Sequence, residues 1–128
     1  MPTPPTAHPR PLTTGEQQVL TALLQRGTST TGERTPTPAD RTRWLAQVPG
    51  TLAGVPCGCG HCPSIELTDA TGRSPATRDG RVVLEAEAPG ALLLLFIDED
   101  RVSYLELAPL DDGATLTEFP DVITVRTG

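Results

Sequence analysis

The sequence contains no lysine and no asparagine, and all ten of its basic residues are arginine. Threonine, alanine, proline and glycine are abundant, so the bias reads as the codon usage of a GC-rich genome and says little about guanidinium chemistry. Aromatic residues are almost as scarce, with one Trp, one Tyr and two Phe. No cluster of basic and aromatic side chains of the kind that grips nucleic acid is present. Long apolar runs are missing too: the longest, Ala91 to Ile97, has seven residues, against the roughly 20 that a membrane-spanning helix needs. The opening MPTPPTAHPRP has no apolar run and so lacks the layout of a secretory leader. Phosphate-cradling glycine loops and a nucleophile elbow are also absent. Together these absences predict a cytoplasmic protein with neither a membrane nor a nucleic acid as its partner.

What is there starts with size and charge. At 128 residues the chain suits one domain with a single modest core. Its net charge of -6 is unevenly placed: residues 1–62 carry five Arg against three Asp or Glu, and residues 63–128 carry five against thirteen, so the halves come to +2 and -8. An acidic half of this kind repels polyanions and favours a basic protein partner. The competing reading is that the acidity only keeps the domain in solution.

Residues 1–11 hold five prolines and little apolar surface to bury, which predicts a disordered tail; residues 12–128 form the single domain. Thr13 stands three residues before Glu16, the capping-box spacing, and Val19, Leu20, Leu23 and Leu24 follow at helical intervals up to Gly27, a candidate left-handed cap. A second helix starts at Thr37-Pro38-Ala39-Asp40, with Trp44, Leu45 and Val48 as its buried stripe, and ends at Pro49-Gly50. Beyond Gly50 the period becomes that of strands. Ile65 and Leu67 alternate with polar residues, as do Val82, Leu84, Ala86 and Ala88. ALLLLFI is apolar on both faces, as a central covered strand would be. Val102 to Leu107 places Leu105 and Leu107 on one face and Val102 and Tyr104 on the other, and Val122 to Val125 makes a last strand. The fold class is therefore α+β, with two N-terminal helices packed on one face of a four- to five-stranded antiparallel meander. The sheet face away from the helices is a candidate apolar interaction surface.

All three cysteines lie in the stretch CGCGHC, residues 57–62, between Pro56 and Pro63. Cys57, Cys59, Cys62 and His61 make a Cys3His set with the chemistry of a tetrahedral zinc site, and the three thiols alone would suit Cu(I). Adjacent side chains such as His61 and Cys62 rarely converge on one ion. Cys59-Gly60-His61-Cys62 also resembles, letter for letter, the active-site C-G-H-C of protein disulfide isomerases, which implies thiol redox chemistry. The surroundings differ from that family: Pro63 and a strand pattern follow where a helix should start. A cysteine nucleophile paired with His61 lacks an orienting third group. The remaining reading is a structural turn, in which Gly58 and Gly60 give conformational freedom and the cysteines act as small apolar side chains. No resident cofactor is expected on that reading, with zinc the candidate if the thiols bind metal.

The order of features resembles a type of uncharacterised small protein of GC-rich bacteria. In these a leucine-rich helix precedes a Gly/Cys turn ending in Cys-Pro, then an apolar strand, an acidic turn and a strand ending near Leu-Glu. The matching stretches are Cys57 to Pro63, Leu92 to Ile97, Asp98 to Asp100 and Tyr104 to Leu107. That resemblance implies the fold and carries no activity.

Asp98-Glu99-Asp100 and Asp111-Asp112-Gly113 lack the ligand spacing of a calcium loop and read as solvated turns. Glu85 and Glu87 mark the wet face of a strand. With no catalytic constellation, the leading expectation is a small intracellular, non-enzymatic protein-binding module of the immunity-protein or inhibitor kind. Its acidic surface, with Asp98, Glu99, Asp100, Tyr104 and Glu106 as candidate contacts, would meet a basic partner. The alternatives are a small thiolate metal-binding protein centred on CGCGHC and, third, a thiol redox protein.

Overall fold

A computed structural model describes residues 9–29, 35–56, 63–76, 80–110 and 119–120. The chain is α+β, with two helices and a seven-stranded antiparallel sheet. In chain order the elements are β1 (Arg10–Pro11), α1 (Thr14–Arg26), β2 (Thr28–Ser29), α2 (Pro38–Leu45), β3 (Leu52–Pro56), β4 (Ile65–Thr68), β5 (Val82–Ala88), β6 (Ala91–Asp98) and β7 (Arg101–Pro109). A short 3-10 turn, Val48–Gly50, leads into β3.

Both helices begin as their sequences dictate. Thr13 accepts from the Glu16 backbone N–H while the Glu16 carboxylate accepts from the Thr13 N–H, so two orphan donors of the first turn are satisfied reciprocally. Thr37 and Asp40 do the same for α2, with Pro38 in the first turn. Arg10 grips both oxygens of Glu16 at 2.8 and 2.9 Å, tying β1 to the start of α1. Arg10–Pro11 lies inside the stretch expected to be a disordered tail, yet it pairs with Leu52–Ala53 of β3.

Gly27 is not a left-handed cap: its φ of -58° and ψ of 146° send the chain straight from α1 into β2. Glycine is needed for space, since a Cβ there would stand 2.6 Å from the Leu23 carbonyl oxygen and 3.0 Å from Leu84 Cβ. The carbonyls at this helix end are capped from α2, where the Arg41 guanidinium donates to Leu24 O and Gly27 O.

The sheet order is β1-β3-β4-β7-β6-β5-β2, which corrects the expected four- to five-stranded meander. Only β5, β6 and β7 run as a meander; β4 pairs with β7, and β5 is reached by a crossing. Three strands escaped the sequence pattern. β1 and β2 are two residues each, too short for any periodicity, and Gly54 interrupts the apolar alternation of β3. The strand expected at Val122 to Val125 lies outside the described residues.

One core joins Val19, Leu20, Leu23 and Leu24 of α1, Trp44 of α2 and Val48 to the inward residues of the sheet, among them Leu67, Leu84, Leu93, Leu95, Ile97 and Leu105. Val102 belongs to this core as well, opposite Ile97, and not with Tyr104 on the other face. The reason is a β-bulge: Phe96 pairs with Tyr104 and Ile97 with Val102, leaving Ser103 as an extra residue that shifts the parity of β7.

Candidate functional site

Strand β6 was expected to be covered on both faces. Instead its burial alternates: Leu93, Leu95 and Ile97 face the core, while Leu92, Leu94 and Phe96 are only partly buried on the opposite face. The registers fix their neighbours. Glu87 and Glu85 of β5 lie opposite Leu92 and Leu94, and Ala108, Glu106 and Tyr104 of β7 lie opposite Leu92, Leu94 and Phe96. A ridge of three large apolar side chains thus runs down the middle strand, with carboxylates on both sides. Just past β7, Leu110 is 61% exposed at the Leu92 end of the same ridge.

At the other end Phe96 and Tyr104 meet edge to face, with ring centroids 6.1 Å apart and planes at 69°. The Arg81 guanidinium lies 4.8 Å from the Phe96 ring centre. Arg81, Phe96, Tyr104 and Glu106 line an open cleft of about 230 Å³. Arg81 does not make this corner cationic, because its charge is matched by Asp98 through hydrogen bonds of 2.7 and 2.9 Å; that partner raises the Arg81 pKa further above its ordinary value. Farther out on β4, the Glu66 side chain reaches towards Gly54 of β3, where a Cβ would stand 2.7 Å from Glu66 Oε1 and 2.9 Å from Thr68 Cγ2.

The five acidic and aromatic candidates separate into two groups. Asp98 is buried, held by Arg81 and by the Ser103 hydroxyl at 2.7 Å, and closes the bulge. Asp100 accepts from Arg43 and from the Trp44 indole N–H at 2.7 Å, and its backbone carbonyl accepts from Gln47. The Arg43 hydrogen bonds hold its carboxyl below the usual aspartate range, with Trp44 adding and burial opposing. Glu99 accepts from the Ala76 N–H. Glu99 and Asp100 take φ values of 51° and 63°, the left-handed pair that a two-residue hairpin turn demands and that Asn and Gly usually supply. Asp100 thus ties the β6–β7 turn to α2, Glu99 ties it to the loop after β4, and Asp98 is held within the sheet by Arg81 and Ser103. Tyr104 and Glu106 instead belong to the open face with Leu92, Leu94 and Phe96.

Cys57, Cys59, His61 and Cys62, the candidate metal and redox residues, lie outside the described residues, as do Asp111 and Asp112. Among the described residues no group of three or more His, Cys, Asp or Glu is placed to hold a metal ion. Among them, too, no helix is long and apolar enough to cross a membrane.

Sequence reasoning had Glu85 and Glu87 on the wet face and expected an apolar patch there. It missed Arg81 as the partner of Asp98, and Arg43, Trp44 and Gln47 as the partners of Asp100. No local pattern links residues so far apart in the chain. Comparison with known protein families, with characterised proteins and with solved structures finds no match for this chain.

Proposed function

We propose that the chain is a non-enzymatic protein-binding module, of the kind that immunity proteins and inhibitors represent, and that it meets a basic partner on the open face of β5, β6 and β7. The single observation that carries this reading is the ridge Leu92, Leu94 and Phe96 flanked by Glu85 and Glu87 on one side and Glu106 on the other. Partly accessible apolar side chains rimmed by charge of one sign suit a docking surface: the ridge supplies desolvation, and the rim supplies orientation and selection against acidic competitors. The net -8 carried by residues 63–128 favours a basic partner in the same sense.

The test is affinity capture from extracts of the source cells with three immobilised proteins: the wild type, Leu94→Thr and Glu106→Gln. Both substitutions suit a strand and leave the core untouched. The reading expects a basic protein that the wild type retains, that Leu94→Thr loses, and that salt between about 0.05 and 0.5 M weakens as the Debye length shrinks. Equal recovery by wild type and Leu94→Thr, or a partner indifferent to salt, counts against it.

A further inference from the structure

We infer that the element of the partner received by this face is a basic amphipathic α-helix lying along β6, with arginine or lysine on both of its flanks. The inference rests on the reading of the open face as the docking surface and adds the shape and charge of what docks.

Dimensions argue for a helix. Leu92, Leu94 and Phe96 occupy alternate positions of one strand, so their ridge is about 13 Å long at roughly 3.3 Å per residue. A helix rises about 1.5 Å per residue, and some nine residues, two and a half turns, would cover it. Across the ridge, β5, β6 and β7 are adjacent; three strands about 4.8 Å apart span close to 10 Å, the diameter of one helix with its side chains. A single extended segment would leave one of the two glutamate rows uncontacted.

Charge placement says what the helix carries. Leu94 has Glu85 in register on one side and Glu106 on the other, and Leu92 has Glu87. A helix whose apolar stripe sits on the ridge therefore brings both of its flanks over carboxylates, which calls for cations at both edges of the stripe. The cleft beside Tyr104 gives one of these cations a defined seat. A guanidinium there can pair with Glu106 in the cleft that Glu106 shares with Phe96, and Arg81, already matched by Asp98, does not repel it. A second copy of this chain is a poor occupant, since face-to-face stacking would set rows of glutamate against each other.

The experiment titrates the full-length chain, labelled with nitrogen-15, with a designed helical peptide of about 14 residues, long enough to overlap the ridge. The peptide has leucine along one stripe, arginine at both of its edges and alanine elsewhere. Two controls keep its composition as far as possible: one replaces arginine by the neutral isostere citrulline, the other places two prolines in the middle. The inference expects saturable shifts of the backbone amides around Leu94, Tyr104 and Glu106. It expects affinity to fall about tenfold or more for each control, and severalfold for Glu106→Gln and for Glu87→Gln with the arginine peptide. If the proline peptide binds as well and shifts the same amides, the helix is wrong while the docking face stands. If the citrulline peptide binds as well, the cationic flanks are wrong. If no peptide shifts these amides, or Leu94→Thr leaves the affinity unchanged, the inference and the docking face fall together.

Discussion

Replacing Asp100 by Ala, Gly and Asn should produce three different losses of stability, because the residue does two separable jobs. Its carboxylate accepts from the indole N–H of Trp44, whose side chain is fully buried, and its backbone sits at φ 63°. A hydrogen bond to a charged acceptor contributes about 1.5–3 kcal/mol. The Asp100 side chain is 46% exposed, so the lower end, about 1.5 kcal/mol, applies here. The exposed Arg43 pair adds little once water screens it. Alanine also meets the left-handed conformation with a Cβ and without the local hydrogen bonding that makes Asp and Asn tolerant of it, a cost of up to about 1 kcal/mol. Asp100→Ala should therefore lose about 2 kcal/mol, and Asp100→Gly only about 1 kcal/mol, because glycine relieves the backbone. Asp100→Asn keeps an acceptor oxygen and the tolerance of positive φ, and should lose less than about 1 kcal/mol. In a chain of 128 residues each kcal/mol moves Tm by roughly 3–6 °C, so thermal or urea unfolding resolves the order. Equal values for Ala and Gly would refute the backbone part of the argument. Additivity of Asp100→Ala with Trp44→Phe in a double-mutant cycle would refute the hydrogen-bond part.

Gly27→Ala should destabilise by about 1–3 kcal/mol even though φ is ordinary there, because the new methyl has to displace a helix carbonyl; a neutral result in urea unfolding would show that the α1–β2 junction relaxes. Acid should weaken the fold through three carboxylates whose folded-state pKa lies below the unfolded one. Asp69, held chiefly by the Thr71 hydroxyl and also by the Arg73 and Thr71 N–H groups, drops from 3.8 to about 2. Asp100 is lowered mainly by Arg43, and Glu16 is lowered although burial opposes, because Arg10 and Thr13 outweigh it. Groups lowered on folding contribute their full stability above the unfolded value and lose it as protons bind. Tm should accordingly hold constant from pH 7 to about 5 and then fall progressively down to about pH 2, with Asp69→Asn flattening the last part of that fall. Protein purified without oxygen should carry no stoichiometric zinc or copper and should alkylate at Cys57, Cys59 and Cys62; one tightly held equivalent of metal by native mass spectrometry would reverse the turn reading of CGCGHC.

Local rules were readable wherever one stretch of chain decides the outcome. The Thr13 capping box, the Thr37 cap, the apolar stripe of α1 and strands β4, β5, β6 and β7 follow from spacing alone, because each is stabilised within its own segment or along one pleated face. Pairing was not readable. The β4–β7 neighbourhood and the two-residue strands depend on which backbone happens to lie alongside, and side-chain periodicity carries nothing about that. The same limit explains the site. Asp98-Glu99-Asp100 announces a turn, but that Asp98 would be matched by Arg81 and Asp100 by Arg43 and Trp44 follows only from tertiary contacts. The bulge at Ser103 has no signature in SYLEL, yet it alone moves Val102 to the core side while Tyr104 stays outside.

Among the described residues the sheet ends on both sides in strands of two residues, β1 with a proline and β2 with Thr28–Ser29. Very short edge strands are one device that blunts the borders of a sheet as templates for a foreign strand. The leucine and phenylalanine that the sheet leaves partly solvent-facing lie on its central strand, away from borders blunted against lateral pairing into fibrils.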